Sequence, residues 1–211
     1  MPLIEKITIP DGTIGLWELS ETADDLLKVC QLNPTDTARL AGFTAEKRRK
    51  EFMASRLLLQ KLLPQYPEIV YDKCNGKPSL KATDLNISIT HSDNLVAIIL
   101  SHKKIGIDIE QQNRNIDRVV PRFANSAEID FIEKSKNPQL VKILLWSAKE
   151  AIYKCCGIQG IQFNKQINIG LFDYQSQHHF TGSLNHNSQI FRYKLFFRLI
   201  KNNILVYCVQ D

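Results

Sequence analysis

One order of elements occurs twice in this chain, and it confines the fold more than any single motif does. Ile14-Gly15-Leu16-Trp17-Glu18-Leu19 reads as a short strand, and Ile105-Gly106-Ile107-Asp108-Ile109-Glu110 reads as another. A polar connection and helical patterns follow each. The helical part ends in 52–59 in the first half and in 144–152 in the second, and each half closes with β-rich segments, 86–101 and 190–209. The repeated order strand, helices, strands predicts a duplicated α+β unit with lobes 1–104 and 105–211. Few residues match between the two halves, so a chance likeness is the competing account. Of the 211 residues, 44% are hydrophobic, enough for one large core or two small ones.

Two helix starts are legible. Asn33-Pro34 puts a capping side chain before a proline at the first helical position, and Asn125-Ser126-Ala127-Glu128 fits a capping box. The stretch 164–182 lacks long periodicity and reads as strand mixed with loop.

In 105–110 apolar and acidic residues alternate. A strand has a side-chain period of two, so Ile107 and Ile109 face one side while Asp108 and Glu110 face the other. Two neighbouring carboxylates repel unless a positive group sits between them, and an all-oxygen site of this kind suits Mg²⁺. An edge strand with a solvated acidic face is the plainer alternative. Further along, Leu144, Leu145, Ala148, Ala151, Ile152 and Cys155 make an apolar helix face, and Ser147, Glu150 and Lys154 share a more polar side. A base and a phosphate-binding cation could be spaced this way, and so could an ordinary surface pair worth ~0.2–0.5 kcal/mol.

Several cations could meet a polyanion. Gly76-Lys77-Pro78 reads as a turn that exposes its lysine, His91 sits at a strand end among turn formers, and Lys47-Arg48-Arg49-Lys50 with Arg56 forms a basic helical stretch. Arg114, Arg118 and Arg122 recur every four residues. If helical, they form a basic stripe suited to an acidic partner, although Pro121 interrupts any long helix.

Composition removes other classes. No apolar run is long enough to span a bilayer, and Met1-Pro2-Leu3-Ile4-Glu5-Lys6 lacks the start of a secretory signal, so a cytoplasmic protein is expected. Five cysteines without a CxxC pair argue against a disulfide framework or a zinc site of that type. The net charge of +5 comes with no nucleic-acid-binding motif, and no Gly-rich phosphate loop is present for an ATP-using enzyme.

Gly106-Ile107-Asp108-Ile109-Glu110 and the segment from Trp146 through Lys149-Glu150-Ala151 to Lys154 occur in that order. Together they resemble the paired signature of the 4'-phosphopantetheinyl transferase family, in its single-chain, Sfp-type branch. Gly76-Lys77-Pro78 and Ser88-Ile89-Thr90-His91-Ser92 are similar to its first-lobe elements, so the likeness spans 44–160. It implies two α+β lobes related by pseudo-twofold symmetry, with coenzyme A between them giving its phosphopantetheine arm to a serine of an acidic apo acyl or peptidyl carrier protein. It further implies Mg²⁺ (or Mn²⁺) held by Asp108, Glu110 and Glu150, with Glu150 also a candidate base. Lys154 would contact the phosphates and help the leaving 3',5'-ADP, a catalytic role. Lys77, Thr90 and His91 would also contact the nucleotide end, with His91 near phosphate, and Lys47, Lys50 and Arg56 match basic positions that bind the nucleotide. The loop 155–160 lacks a lysine often found between its glycines. A monomer is expected, because one chain already contains both lobes.

Overall fold

In the computed structural model, residues 3–63 and 65–211 are described; Met1 and Pro2, part of the amino-terminal reading above, lie outside them. Among the described residues the first half runs β1 (Leu3–Ile9), β2 (Gly12–Glu18), α1 (Ala23–Val29), α2 (Pro34–Ala41), α3 (Glu46–Leu62), β3 (Ile69–Tyr71), β4 (Pro78–Leu80), β5 (Asn86–Ser92) and β6 (Leu95–Ser101). The second half runs β7 (Ile105–Gln111), α4 (Val120–Phe123), α5 (Ser126–Lys134), α6 (Pro138–Cys156), α7 (Phe163–Gln166), β8 (Ile167–Ile169), β9 (His179–His186), β10 (Gln189–Ile200) and β11 (Asn203–Gln210). The fold class is α+β.

The caps behave as their chemistry dictates. Asn33 accepts from the Asp36 backbone N–H at the start of α2. Asn125 and Glu128 form the reciprocal capping box of α5. Gly157 ends α6 at φ +65°, a left-handed conformation that a Cβ makes costly. The region 164–182 contains α7 and β8 and then loop before β9 begins, in line with its weak periodicity.

The two halves share a sheet topology. The first sheet has the order β1-β2-β6-β5 and the second β7-β11-β10-β9-β8, all antiparallel at the strand pairs concerned. In each, the strand that opens the repeat (β2 or β7) pairs with the last strand of its half (β6 or β11), which pairs in turn with the strand before it (β5 or β10). A long helix, α3 or α6, covers each sheet. The second half has a hydrophobic core around α6, and the first half has one around α3 and Trp17. A third cluster joins the sheets back to back through Ile14, Leu16, Ile99, Ile107, Ile109 and Leu205.

The seam between the sheets is polar at one edge. Strand β7 runs beside β5, and the Ser88 and Thr90 hydroxyls accept from the backbone N–H groups of Ile107 and Ile109 at 3.2 and 3.3 Å. These side chains satisfy ladder donors that would otherwise be buried without partners.

Candidate active site

The strand β7 places the acidic residues as its alternation requires. Ile107 and Ile109 are buried in the seam cluster, whereas Gly106, Asp108 and Glu110 turn toward α6. Gly106 permits this approach: a Cβ there would sit 2.0 Å from the Ala151 carbonyl oxygen. The corresponding strand β2 has Gly15 against α3, but Trp17 holds the place that Asp108 takes in β7 and is fully buried. The second half thus carries carboxylates where the corresponding strand of the first carries an indole.

Asp108 and Glu110 are both buried and both neutralised by cations. Lys154 Nζ lies 2.7 Å from Asp108 Oδ1 and donates also to Thr90 Oγ1 at 3.1 Å, while the Thr90 hydroxyl donates to the same Asp108 oxygen at 3.2 Å. Glu110 Oε1 accepts from the Arg114 guanidinium and from the Trp146 indole N–H at 2.9 Å. Lys154 therefore pairs across to β7 and not with Glu150 one turn back on its own helix. Burial pushes the Glu150 carboxyl up to about 7, and the charges of Asp108 and Glu110 add to the rise, while Lys154 and Arg114 oppose it. The charges of Asp108 and Glu110 on β7 thus reach the Glu150 carboxyl on α6.

Whether a divalent cation suits this place is decided by the donor set. All donors are carboxylate oxygens, the ligand type Mg²⁺ favours, and Asp108 Oδ2 is buried with no hydrogen-bond partner. Among the described residues no three His, Cys, Asp or Glu side chains are grouped so that they could hold a metal ion. Lys154 and Arg114 already hold one oxygen each of Asp108 and Glu110. The residues fit a Mg²⁺ ion that supplements or replaces those cations.

Beside the carboxylates a cavity of about 250 Å³ opens between the halves, with Arg48, His91, Lys77 and Lys154 in its wall and Phe52 and Tyr153 as apolar lining. Lys154 joins the two places, for it lines the cavity while holding Asp108. His91, at the end of β5, meets Arg48 Nη1 through Nε2 at 2.6 Å and Glu51 Oε1 through Nδ1 at 3.3 Å. A guanidinium only donates, so Nε2 is the acceptor and Nδ1 carries the proton. Burial holds this imidazole below its ordinary value; Arg48, Lys154 and Lys47 act in the same sense and Glu51 opposes them. His91 is accordingly neutral, and Arg48 is the cation there.

The remaining basic positions divide. Lys77 lines the cavity, but its ammonium donates to the Cys155 carbonyl at the end of α6, and Asn75 Nδ2 donates to the Gly157 carbonyl at 2.6 Å. The turn 72–77 thereby clasps the α6 terminus. Arg56 is almost wholly buried, ion-paired to Asp36 at 2.7 Å and stacked on Phe52 at 3.6 Å, so it stiffens the cavity wall. Lys47 is exposed and Lys50 half-buried, and the cavity lining includes neither. Arg48 was not singled out from the run 47–50, because helical spacing alone does not tell which of four adjacent basic residues meets β5.

Two sequence readings are revised. Ser147, read with Glu150 and Lys154 as one more polar side of the helix, is fully buried with its hydroxyl unpartnered, whereas Glu150 and Lys154 are half-buried. The arginine stripe is not a helix face: 112–119 is turn and loop, α4 is one turn long, and Arg114 reaches back to Glu110. Pro121 at the start of α4 supplies no N–H for a preceding turn, which limits the helix. Arg118 and Arg122 are exposed.

The model of the 4'-phosphopantetheinyl transferase superfamily matches residues 104–208, which include β7, all of α6 and the whole acidic constellation. The chain belongs to this superfamily. Similar proteins carry related names. The 4'-phosphopantetheinyl transferase AcpT of Salmonella typhi is 33% identical over 114 residues, 51% of this chain and 58% of that protein. The 4'-phosphopantetheinyl transferase gsp of Aneurinibacillus migulanus is 29% identical over 110 residues, 51% of this chain and 46% of that one. The L-aminoadipate-semialdehyde dehydrogenase-phosphopantetheinyl transferase of Mus musculus is 25% identical over 175 residues, 72% of this chain and 56% of that protein. The chain thus spans about half the length of the curated relatives it matches. The crystal structure of Thermotoga maritima holo-[acyl-carrier-protein] synthase aligns with a TM-score of 0.37 and 14% identity, covering 51% of this chain and 62% of that one. Among the described residues no helix is long and apolar enough to cross a membrane.

Proposed function

We propose that this protein is a Mg²⁺-dependent 4'-phosphopantetheinyl transferase of the Sfp type, with lobes 1–104 and 105–211. It moves the phosphopantetheine arm of coenzyme A to a serine of an apo carrier protein and releases 3',5'-ADP, acting as a cytosolic monomer. The observation that carries this reading is the junction at Lys154. One ammonium touches a buried carboxylate of the acidic constellation and also lines the cationic cavity between the halves.

The serine Oγ forms the new bond to the β-phosphorus, and the bond from that phosphorus to the bridging oxygen breaks, leaving the electron pair on 3',5'-ADP. Asp108, Glu110 and Glu150 would hold Mg²⁺, which when bound would supply charge neutralisation at the pyrophosphate. Glu150, raised to about 7 by burial and like charge, is poised near neutrality to take the serine proton, directly or through a water. Lys154 changes partner from Asp108 to the phosphate oxygens, where it stabilises charge that grows as the leaving group departs. Thr90 keeps Lys154 and Asp108 aligned through their shared hydroxyl. Arg48, aimed by neutral His91, binds the nucleotide end, and Lys77 borders the same cavity. Lys47 and Lys50 add positive potential near its mouth, and Arg56 keeps the wall rigid. Arg118 and Arg122 offer exposed charge to an acidic carrier.

Incubation with coenzyme A, Mg²⁺ and a panel of apo carrier proteins, read by mass spectrometry, tests this. A phosphopantetheine-sized mass gain on a carrier serine is expected, and no gain with any carrier refutes the transferase reading.

A further inference from the structure

Arg114 stands where the carboxylates need a positive charge, yet it belongs to the loop after β7 and not to the motif-bearing elements. Its guanidinium pairs with Glu110 Oε1, the oxygen that also accepts the Trp146 indole N–H at 2.9 Å. About half of the Arg114 side chain is exposed, against 12% for Glu110, so the guanidinium caps the site from the solvent side. The backbone beneath it is held: Gln139, in the first turn of α6, donates to the carbonyls of Gln112 and Arg114 at 3.1 and 2.8 Å. A fixed backbone with a half-exposed, flexible side chain can release the guanidinium without moving the loop.

We propose that Arg114 is a built-in counter-cation that neutralises Glu110 in the metal-free protein and competes with the divalent ion for that carboxylate. The inference rests on the metal reading of Asp108, Glu110 and Glu150. Three carboxylates with Lys154 and Arg114 in place sum to one negative charge, and a dication entering that set meets two resident cations. When the dication binds, the guanidinium swings into solvent, and Trp146, a neutral donor, remains on Glu110 to orient it. Arg114 thereby sets the threshold for divalent-ion loading.

Mn²⁺ binding, measured by electron paramagnetic resonance and calorimetry with and without saturating coenzyme A, tests this in wild type, Arg114→Gln, Arg114→Lys and Arg118→Gln. The half-exposed Arg114–Glu110 pair must break before the dication takes Glu110, so its removal in Arg114→Gln should tighten binding roughly two- to fivefold. Arg118→Gln, which removes the same charge from an exposed neighbour, and Arg114→Lys, which keeps it, should stay close to wild type. The Arg114 Nε–H NMR signal should also shift on Mg²⁺ addition as its carboxylate partner is lost. Equal or weaker Mn²⁺ binding by a folded Arg114→Gln overturns the competition, because Arg114 would then be supporting the ligand set. No binding by any of the four proteins in either condition overturns the metal reading itself, and this inference with it.

Discussion

Replacing Lys149 with methionine should damage stability far more than the loss of one lysine suggests. Lys149 precedes the candidate base on α6, but its ammonium points the other way, fully buried, 2.7 Å from Glu128. It also donates to the carbonyls of Phe123, Phe163 and Ile167 at 2.7, 3.1 and 2.7 Å. One side chain thus ties α4, α5, α7 and β8 to α6. Glu128 is buried in turn and accepts from the backbone N–H groups of Asn125 and Ile169 at 2.9 and 3.0 Å. Breaking a buried pair by removing one partner costs about 3–5 kcal/mol, and the freed carbonyls add about 1 kcal/mol or more. A total near 5 kcal/mol is comparable with the whole stability of many domains, which starts at about 5 kcal/mol. For a chain of this size, that loss lowers the melting temperature by about 10–20 °C. Denaturant titration of Lys149→Met should show this loss at neutral pH. The deficit should narrow as pH falls, because the stranded Glu128 can then be neutral. The double variant Lys149→Met with Glu128→Gln should recover part of it. A loss under about 1 kcal/mol in the single variant would refute the argument that this ion pair organises the second half.

Asp108→Asn and Glu150→Gln should each lower carrier modification by at least about 100-fold while leaving the circular dichroism spectrum unchanged; retained turnover in either removes that residue from the site. Gly106→Ala should destabilise by about 1–3 kcal/mol or more, measured by denaturant titration, because the new Cβ falls on the α6 backbone at Ala151. With divalent ions chelated, the raised Glu150 value makes its carboxylate unfavourable to folding. The cost is absent below its ordinary value of 4.5 and grows until about pH 7. Wild type should lose up to about 3 kcal/mol over that range relative to Glu150→Gln, and Mg²⁺ should restore it; parallel stability curves for the two proteins would contradict this.

The residues that could be read from the chain are those whose role depends on local period. Strand alternation sends Asp108 and Glu110 to one side of β7, and the capping box at 125–128 begins α5 where its spacing predicts. The order strand, helices, strands reappears as the matching sheet topologies of the two halves. Lys149 and Lys154 lie on the same helix and could not be separated in this way: one is sealed beneath α5 and the other reaches β7. Glu128 was legible as a cap and illegible as the partner of Lys149, since that contact joins residues from different helices. Arg48 meeting His91, Lys77 clasping the α6 terminus and Arg114 returning to Glu110 have the same origin.

Sequence by itself determined which groups are acidic, which are basic and which side of each strand or helix they occupy, because backbone periodicity is a property of neighbours. Tertiary structure alone decided which opposite charges meet, because a buried ion pair is chosen by the packing of two sheets and two long helices. The three carboxylates therefore appear in the chain as separate acidic positions. They act on one another because Gly106 lets α6 come close enough to β7.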